Sequence, residues 1–292
     1  MEFLKENGMG PSELCSQHGT LVEPELEYAV HDGARLTGTL YRPENLTSSR
    51  VVVALHGGGW KSGSRNRYES WGHWLSKRGF ALFAIDYRVA NKPETRYPAC
   101  LVDVMAAVRF IHVSAKLYSL DPDRIALMGD SAGGHLASLA ALTNNSTHLP
   151  KQGDAIQPPI RAVVSIYGVY DLLAQWEHDQ VCRPRDQITE GLMGFSPLED
   201  KFAYFQASPI AYTNTKAPRT SFMIAWGTDD DVVDCLSQSM RFVKELKQSG
   251  QFVRPVPIVG APHFWIDQPI EEIGSFTGFL APKLLRFLND RL

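Results

Sequence analysis

Gly129-Asp130-Ser131-Ala132-Gly133 is the segment of this chain best suited to chemistry, because it joins an apolar run to a helical pattern. Arg124-Ile125-Ala126-Leu127-Met128 enters it as a buried strand, and Gly134 to Leu142 leaves it with helical spacing. A G-x-S-x-G placed between strand and helix is a nucleophile elbow. The turn is so sharp that only small residues fit two before and two after the serine. Ser131 is thereby raised above the sheet at the positive end of a helix, where an attacking oxygen is favoured. The bare pattern is weak, and its strand–turn–helix setting carries the weight.

A serine nucleophile needs donors for the oxyanion it creates. Val51-Val52-Val53-Ala54-Leu55 reads as a buried strand opening into His56-Gly57-Gly58-Gly59-Trp60. Three successive residues without Cβ let consecutive backbone N–H groups approach one developing negative oxygen. A plain flexible loop is the competing reading of those glycines alone. Their partnership with a G-x-S-x-G further along favours the oxyanion reading.

These residues belong to a larger set. His56 to Trp60, Asp86-Tyr87-Arg88, Gly129 to Gly134, Gly227 to Val233 and Pro262-His263-Phe264 occur in the order found in α/β-hydrolase esterases. Over residues 24 to 292 the chain resembles the hormone-sensitive-lipase-like and feruloyl-esterase-like branch, which includes small carboxylesterases and kynurenine formamidases. The resemblance implies an α/β-hydrolase fold and a reaction type, with the substrate left loose.

The elements that must position these groups alternate along the chain. Leu26–Val30 and Arg35–Tyr41 read as an antiparallel pair turning at Asp32-Gly33. Strands at 51–55, 80–85, 125–128, 162–166, 222–226 and 253–258 then alternate with helices at 68–78, 101–117, 134–142, 235–247 and 281–292. Such alternation predicts a mostly parallel sheet of about eight strands with helices on both faces. Residues 1–292 are expected to form one domain, with a lead segment over 1–22. An irregular lid-like insert over 171–218 carries large apolar residues. Trp60 and, from the insert, Trp176, Phe195 and Phe205 are the expected substrate-pocket residues.

The serine also needs a base and a carboxylate, in the chain order Ser, Asp or Glu, His. After the elbow come His148 in a loop, His178 in the insert and His263 behind the last strand. Loops at the carboxyl ends of parallel strands converge on the site, so His263 is the expected base. Asp229, Asp230, Asp231 and Asp234 all follow the strand at 222–226, and composition cannot separate them. The family's G-x-x-D-x-V-V pattern, matched by Gly227, Asp230, Val232 and Val233, implies Asp230, with Asp229 and Asp231 as fallbacks. His56 is expected to brace the glycine loop, and His135 to pack on the sheet. Asp103 is expected to join Asp86 and Arg88 in a structural network. The oxyanion donors implied are Gly58, Gly59 and Ala132.

Composition narrows the class. With 44% hydrophobic residues and 292 positions, the chain can bury a large core. A net charge of −3 gives no basic field for nucleic acid, and there is neither a basic cluster nor a long apolar run for a membrane. Cys15, Cys100, Cys182 and Cys235 are scattered, with no metal or disulfide spacing, and the opening residues lack a signal-peptide pattern. A cytoplasmic enzyme without metal or organic cofactor is expected, and self-association is left open. The glycosylation patterns at Asn45 and Asn144 to Ser146 are read as fortuitous. Three functions compete: a carboxylesterase for small to medium acyl or aryl esters, an arylformamidase using the same groups, and a binding protein on an inactive hydrolase scaffold. The last usually lacks the nucleophile or base, and both are present here.

Overall fold

The computed structural model describes residues 15–17, 19–144, 157–214 and 220–292. The expected lead segment lies largely outside the described residues, as do His148, Asn145, Ser146 and the end of the insert at 215–218. The strands are β1 (Cys15–Gln17), β2 (Thr20–His31), β3 (Ala34–Pro43), β4 (Ser49–Leu55), β5 (Phe80–Ile85), β6 (Leu120–Asp130), β7 (Ile160–Ile166), β8 (Ser221–Gly227) and β9 (Val253–Ile258). They form one sheet in the order β1-β2-β3-β5-β4-β6-β7-β8-β9. The first three are antiparallel to their neighbours, and β5 through β9 run parallel. The expected eight strands are present, with the three-residue β1 added at one edge. At the other edge, Pro255 and Pro257 of β9 lack the N–H that a further strand would need.

Helices α1 (Glu69–Ser76), α2 (Ala99–Ser114), α3 (Ala132–Thr143), α7 (Arg241–Gln248) and α8 (Phe276–Arg291) cover the sheet. Alternation along β4 divides the core in two. Val51, Val53 and Leu55 pack in one cluster with side chains of α2, α3 and α7, whereas Val52 and Ala54 pack in the other with α1 and α8. Both faces of the central strands are therefore dry, which is why they read as continuous apolar runs.

The insert is not irregular. It contains α4 (Leu172–Cys182), α5 (Ile188–Met193), α6 (Lys201–Gln206) and a 3₁₀ turn at Pro209–Tyr212. Asp171 caps α4 by accepting from Leu173 and Ala174 N–H, and Asp200 caps α6 by accepting from Ala203 N–H. Segments of six to eleven residues are too short to display a helical period, so the pattern alone misses them.

The strand order places the chemistry. From β4 the chain crosses to β5 on one side and then returns to β6 on the other, so the loops leaving β4 and β6 diverge. A crevice opens at such a switch point, beyond the carboxyl ends of the strands. Leu55 and Gly129 are register partners there, setting the glycine loop beside the elbow.

Candidate active site

Ser131 sits between β6 and α3 at φ 51° and ψ −118°, a conformation that residues with a Cβ rarely adopt. Its N–H donates to the Ile166 carbonyl at 2.8 Å, and its own carbonyl accepts the first helical bond from His135 N–H at 3.0 Å. A Cβ at Gly129 would strike the backbone of Gly133, and one at Gly133 would strike the Leu55 carbonyl. The elbow therefore requires glycine at both positions, and the turn holds Ser131 in its strained geometry.

His263 follows β9 and is buried. Its Nε2 lies 3.0 Å from Ser131 Oγ, and its Nδ1 lies 2.7 Å from Asp230 Oδ2. Asp230 Oδ1 accepts from the N–H groups of Val232 and Val233 at 3.0 and 2.9 Å. One carboxylate oxygen thus fixes the acid loop while the other holds the ring. Asp229 accepts instead from the Thr228 hydroxyl, Asp234 from Ser237 N–H, and the Asp231 carbonyl meets His178 Nε2 at 3.2 Å. Among the four neighbouring aspartates, the structure brings only Asp230 to the imidazole. Tyr167 packs against the His263 ring at a centroid distance of 4.4 Å.

The glycine loop is braced from several sides. The Tyr87 hydroxyl donates to the His56 carbonyl at 2.7 Å, and the His56 ring stacks on Tyr87 at 4.3 Å with its Nδ1 2.9 Å from the Gly57 carbonyl. Burial lowers the pKa of His56 and so favours its neutral form. Gly58 and Gly59 follow with φ of 122° and 59°. Among the described residues, the N–H groups of Gly58, Gly59 and Ala132 have no protein acceptor. Ala132 opens α3, where N–H groups lack intrahelical partners.

The sequence pattern gave no role to Asp130. Its side chain is fully buried, and Oδ1 accepts from Gly57 N–H and the Tyr68 hydroxyl, each at 2.9 Å. Oδ2 accepts from Arg67 Nη1, also at 2.9 Å, and Arg67 Nε lies 3.5 Å from Asp267, four residues beyond His263. One carboxylate therefore ties the elbow to the glycine loop, and through Arg67 to the histidine loop. Its position inside G-D-S-A-G was visible, but its partners lie more than 60 residues away.

The structure departs from two other expectations. Trp60, expected in the pocket, is wholly enclosed: φ of 60° turns it inward, and its indole N–H donates to His135 Nδ1 at 3.1 Å. His135, wholly buried on α3, also meets the insert, with Nε2 2.8 Å from the Ala207 carbonyl. Burial pulls its pKa down to about 4. Asp86 parts from Arg88 and Asp103: it pairs with Arg65, while Arg88 grips Asp103 beside His31. Of the insert residues, Trp176 is half-buried and donates to Glu190 at 2.6 Å, and Phe195 packs edge-on to Tyr204. Phe205 is 53% exposed and stacks on Phe202 along the outer face of α6, because Tyr204 takes the inward face.

The profile of the BD-FAE family matches residues 39–246. The chain belongs to the BD-FAE family. As a BD-FAE protein it is 29% identical over 258 residues to the probable carboxylic ester hydrolase LipM of Mycobacterium tuberculosis, covering 86% of this chain and 57% of that protein. It is 32% identical to the esterase LipC of the same organism, covering 82% and 58%. The chain thus spans little more than half the length of these relatives. The native structure of esterase 2 from Thermogutta terrifontis superposes with a TM-score of 0.70 at 24% identity, covering 94% of this chain and 91% of that one, and establishes the α/β-hydrolase fold. Among the described residues of this BD-FAE chain, no helix is long and apolar enough to cross a membrane.

Proposed function

We propose that this chain is a serine carboxylic ester hydrolase working through an acyl-enzyme on Ser131. The observation that carries the reading is the continuous line from Asp230 Oδ2 through both nitrogens of His263 to Ser131 Oγ, at 2.7 and 3.0 Å. Nδ1–H donates to the carboxylate, which fixes the tautomer and leaves Nε2 to accept the serine proton. Ser131 Oγ attacks the ester carbonyl, and His263 takes its proton. Negative charge on the carbonyl oxygen is met by the N–H groups of Gly58, Gly59 and Ala132, each worth roughly 3 kcal/mol in such sites. The imidazolium then protonates the leaving alcohol. Water, activated by the same nitrogen, attacks the acyl-enzyme and releases the acid.

Ester chemistry is supported by family membership and by the carboxylic ester hydrolases among the relatives. Small to medium acyl or aryl esters suit an insert of three short helices. No step calls for a metal or organic cofactor. The test is a panel of nitrophenyl esters of increasing acyl length, run beside N-formylkynurenine, on wild type and Ser131→Ala. Ester turnover that vanishes with the hydroxyl supports the reading. Turnover retained by a folded Ser131→Ala protein rejects it, and a preference for the formamide moves the chain to amide hydrolysis.

A further inference from the structure

Phe264 follows the candidate base directly and adopts φ of 59°, a left-handed conformation in which a bulky side chain is an outlier. Two other large aromatics near the site, Trp60 and Tyr167, share this feature with φ of 60° and 37°. Both are wholly enclosed, so packing compensates their strained backbones. Phe264 is 58% exposed and gains little from burial. Glycine or asparagine would suit the position better on backbone grounds alone. What the aromatic ring does have is a contact: it stands edge-to-face with the His263 imidazole, centroids 4.4 Å apart at 85°.

That contact puts the ring beside the base of the proposed reaction. The leaving oxygen must come within hydrogen-bond reach of His263 Nε2 to be protonated. A ring carried one carbon beyond that oxygen can then approach Phe264 to within the 4.5–7 Å or so over which aromatic pairs attract. The acyl carbonyl, by contrast, is held by Ser131 and the glycine loop. A half-exposed phenyl beside the imidazole is therefore placed to meet the alcohol half of an ester.

We infer that Phe264 is a specificity-determining residue that selects esters of aromatic alcohols by packing on the leaving group. The inference rests on the reading of Ser131 and His263 as nucleophile and base. Benzyl acetate and cyclohexylmethyl acetate test it, because they share the acyl group and the primary alcohol and differ in a flat or puckered ring. Phe264→Ala should lower kcat/KM for the benzyl ester about three- to tenfold more than for the cyclohexylmethyl ester. Phe264→Leu, which keeps apolar bulk, should lose preference in the same direction, and Phe264→Tyr should retain it. Equal losses on both esters would mean that the ring only shields His263, and would overturn the inference, as would no change on either. Circular dichroism melts confirm folding, which a side chain this exposed leaves intact. Wild-type turnover that survives Ser131→Ala removes the parent reading and this one together. Turnover that depends on Ser131 with an unaltered benzyl preference removes this one alone.

Discussion

Replacing Asp130 tests how far the glycine loop depends on this buried carboxylate. In Asp130→Asn the side chain keeps its shape, but one oxygen becomes an amide donor. If that NH₂ took the Oδ1 position it would confront two buried donors, Gly57 N–H and the Tyr68 hydroxyl. It should therefore take the Oδ2 position and confront Arg67, whose side chain is 24% exposed and can turn partly to water. Losing one charge-assisted bond, while Arg67 keeps Asp267 at 3.5 Å and partial hydration, costs about 2–3 kcal/mol. For a chain of 292 residues that lowers Tm by about 3–5 °C. Because Gly57 N–H keeps its acceptor, kcat should fall only about tenfold, a small part of the hundredfold or more that follows removal of an oxyanion donor. Asp130→Ala removes all three contacts at once, and its kcat should fall by about 10² to 10³ with KM little changed. The assays are thermal melts and steady-state kinetics on a short nitrophenyl ester. A folded Asp130→Ala protein with wild-type kcat would refute the argument that this carboxylate positions the oxyanion donors.

Ser131→Ala should lower kcat by about 10⁴ to 10⁶ with an unchanged melt, as in triads that act as a unit. Asp230→Asn should reduce kcat far more than Asp229→Asn or Asp231→Asn, and a larger loss at either neighbour would contradict the observed hydrogen bond. His135 is neutral when folded, with its pKa at about 4, whereas unfolding restores it toward about 6.5. The unfolded chain therefore binds the extra proton between those values. The contribution of His135 is complete above pH 6.5 and is lost as pH falls toward 4, by about 3 kcal/mol. Urea midpoints for His135→Gln should decline less steeply over that window than those of wild type, and parallel declines would show that other groups govern acid stability. In an acyl series, each methylene that fits should raise kcat/KM up to about fourfold, with the trend reversing at short lengths. A maximum at long chains, or activation at a lipid interface, would mark the insert as a mobile lipase lid.

Much of the site was legible because each part announces itself locally. The elbow needs glycines two residues either side of Ser131, and the oxyanion loop needs glycines after a buried strand. Parallel strands need uninterrupted apolar runs, as at Val51–Leu55. What could not be read depends on partners distant in sequence. Asp130 acquires its role only when Arg67 and Tyr68 fold beneath it. Asp230 stands among equals until the loop bonds of Val232 and Val233 aim it, so family likeness had to choose it. Trp60 follows the glycines and reads as pocket lining, yet its positive φ sends it into the core. The insert helices hid because their only clear signals were the caps Asp171 and Asp200.

Ser131 and His263 are 132 residues apart, and they meet only because β6, β7, β8 and β9 lie side by side in register. The hydrogen bond of 3.0 Å on which the proposed mechanism depends thus samples the alignment of four strands at once. A slip of one residue in any of those ladders would move one partner by about 3.3 Å, more than the bond itself tolerates. Under the proposed function, turnover is therefore a stricter criterion of correct assembly for this chain than compactness or helix content. In refolding or directed-evolution screens, ester hydrolysis should separate natively registered molecules from collapsed ones that circular dichroism cannot tell apart.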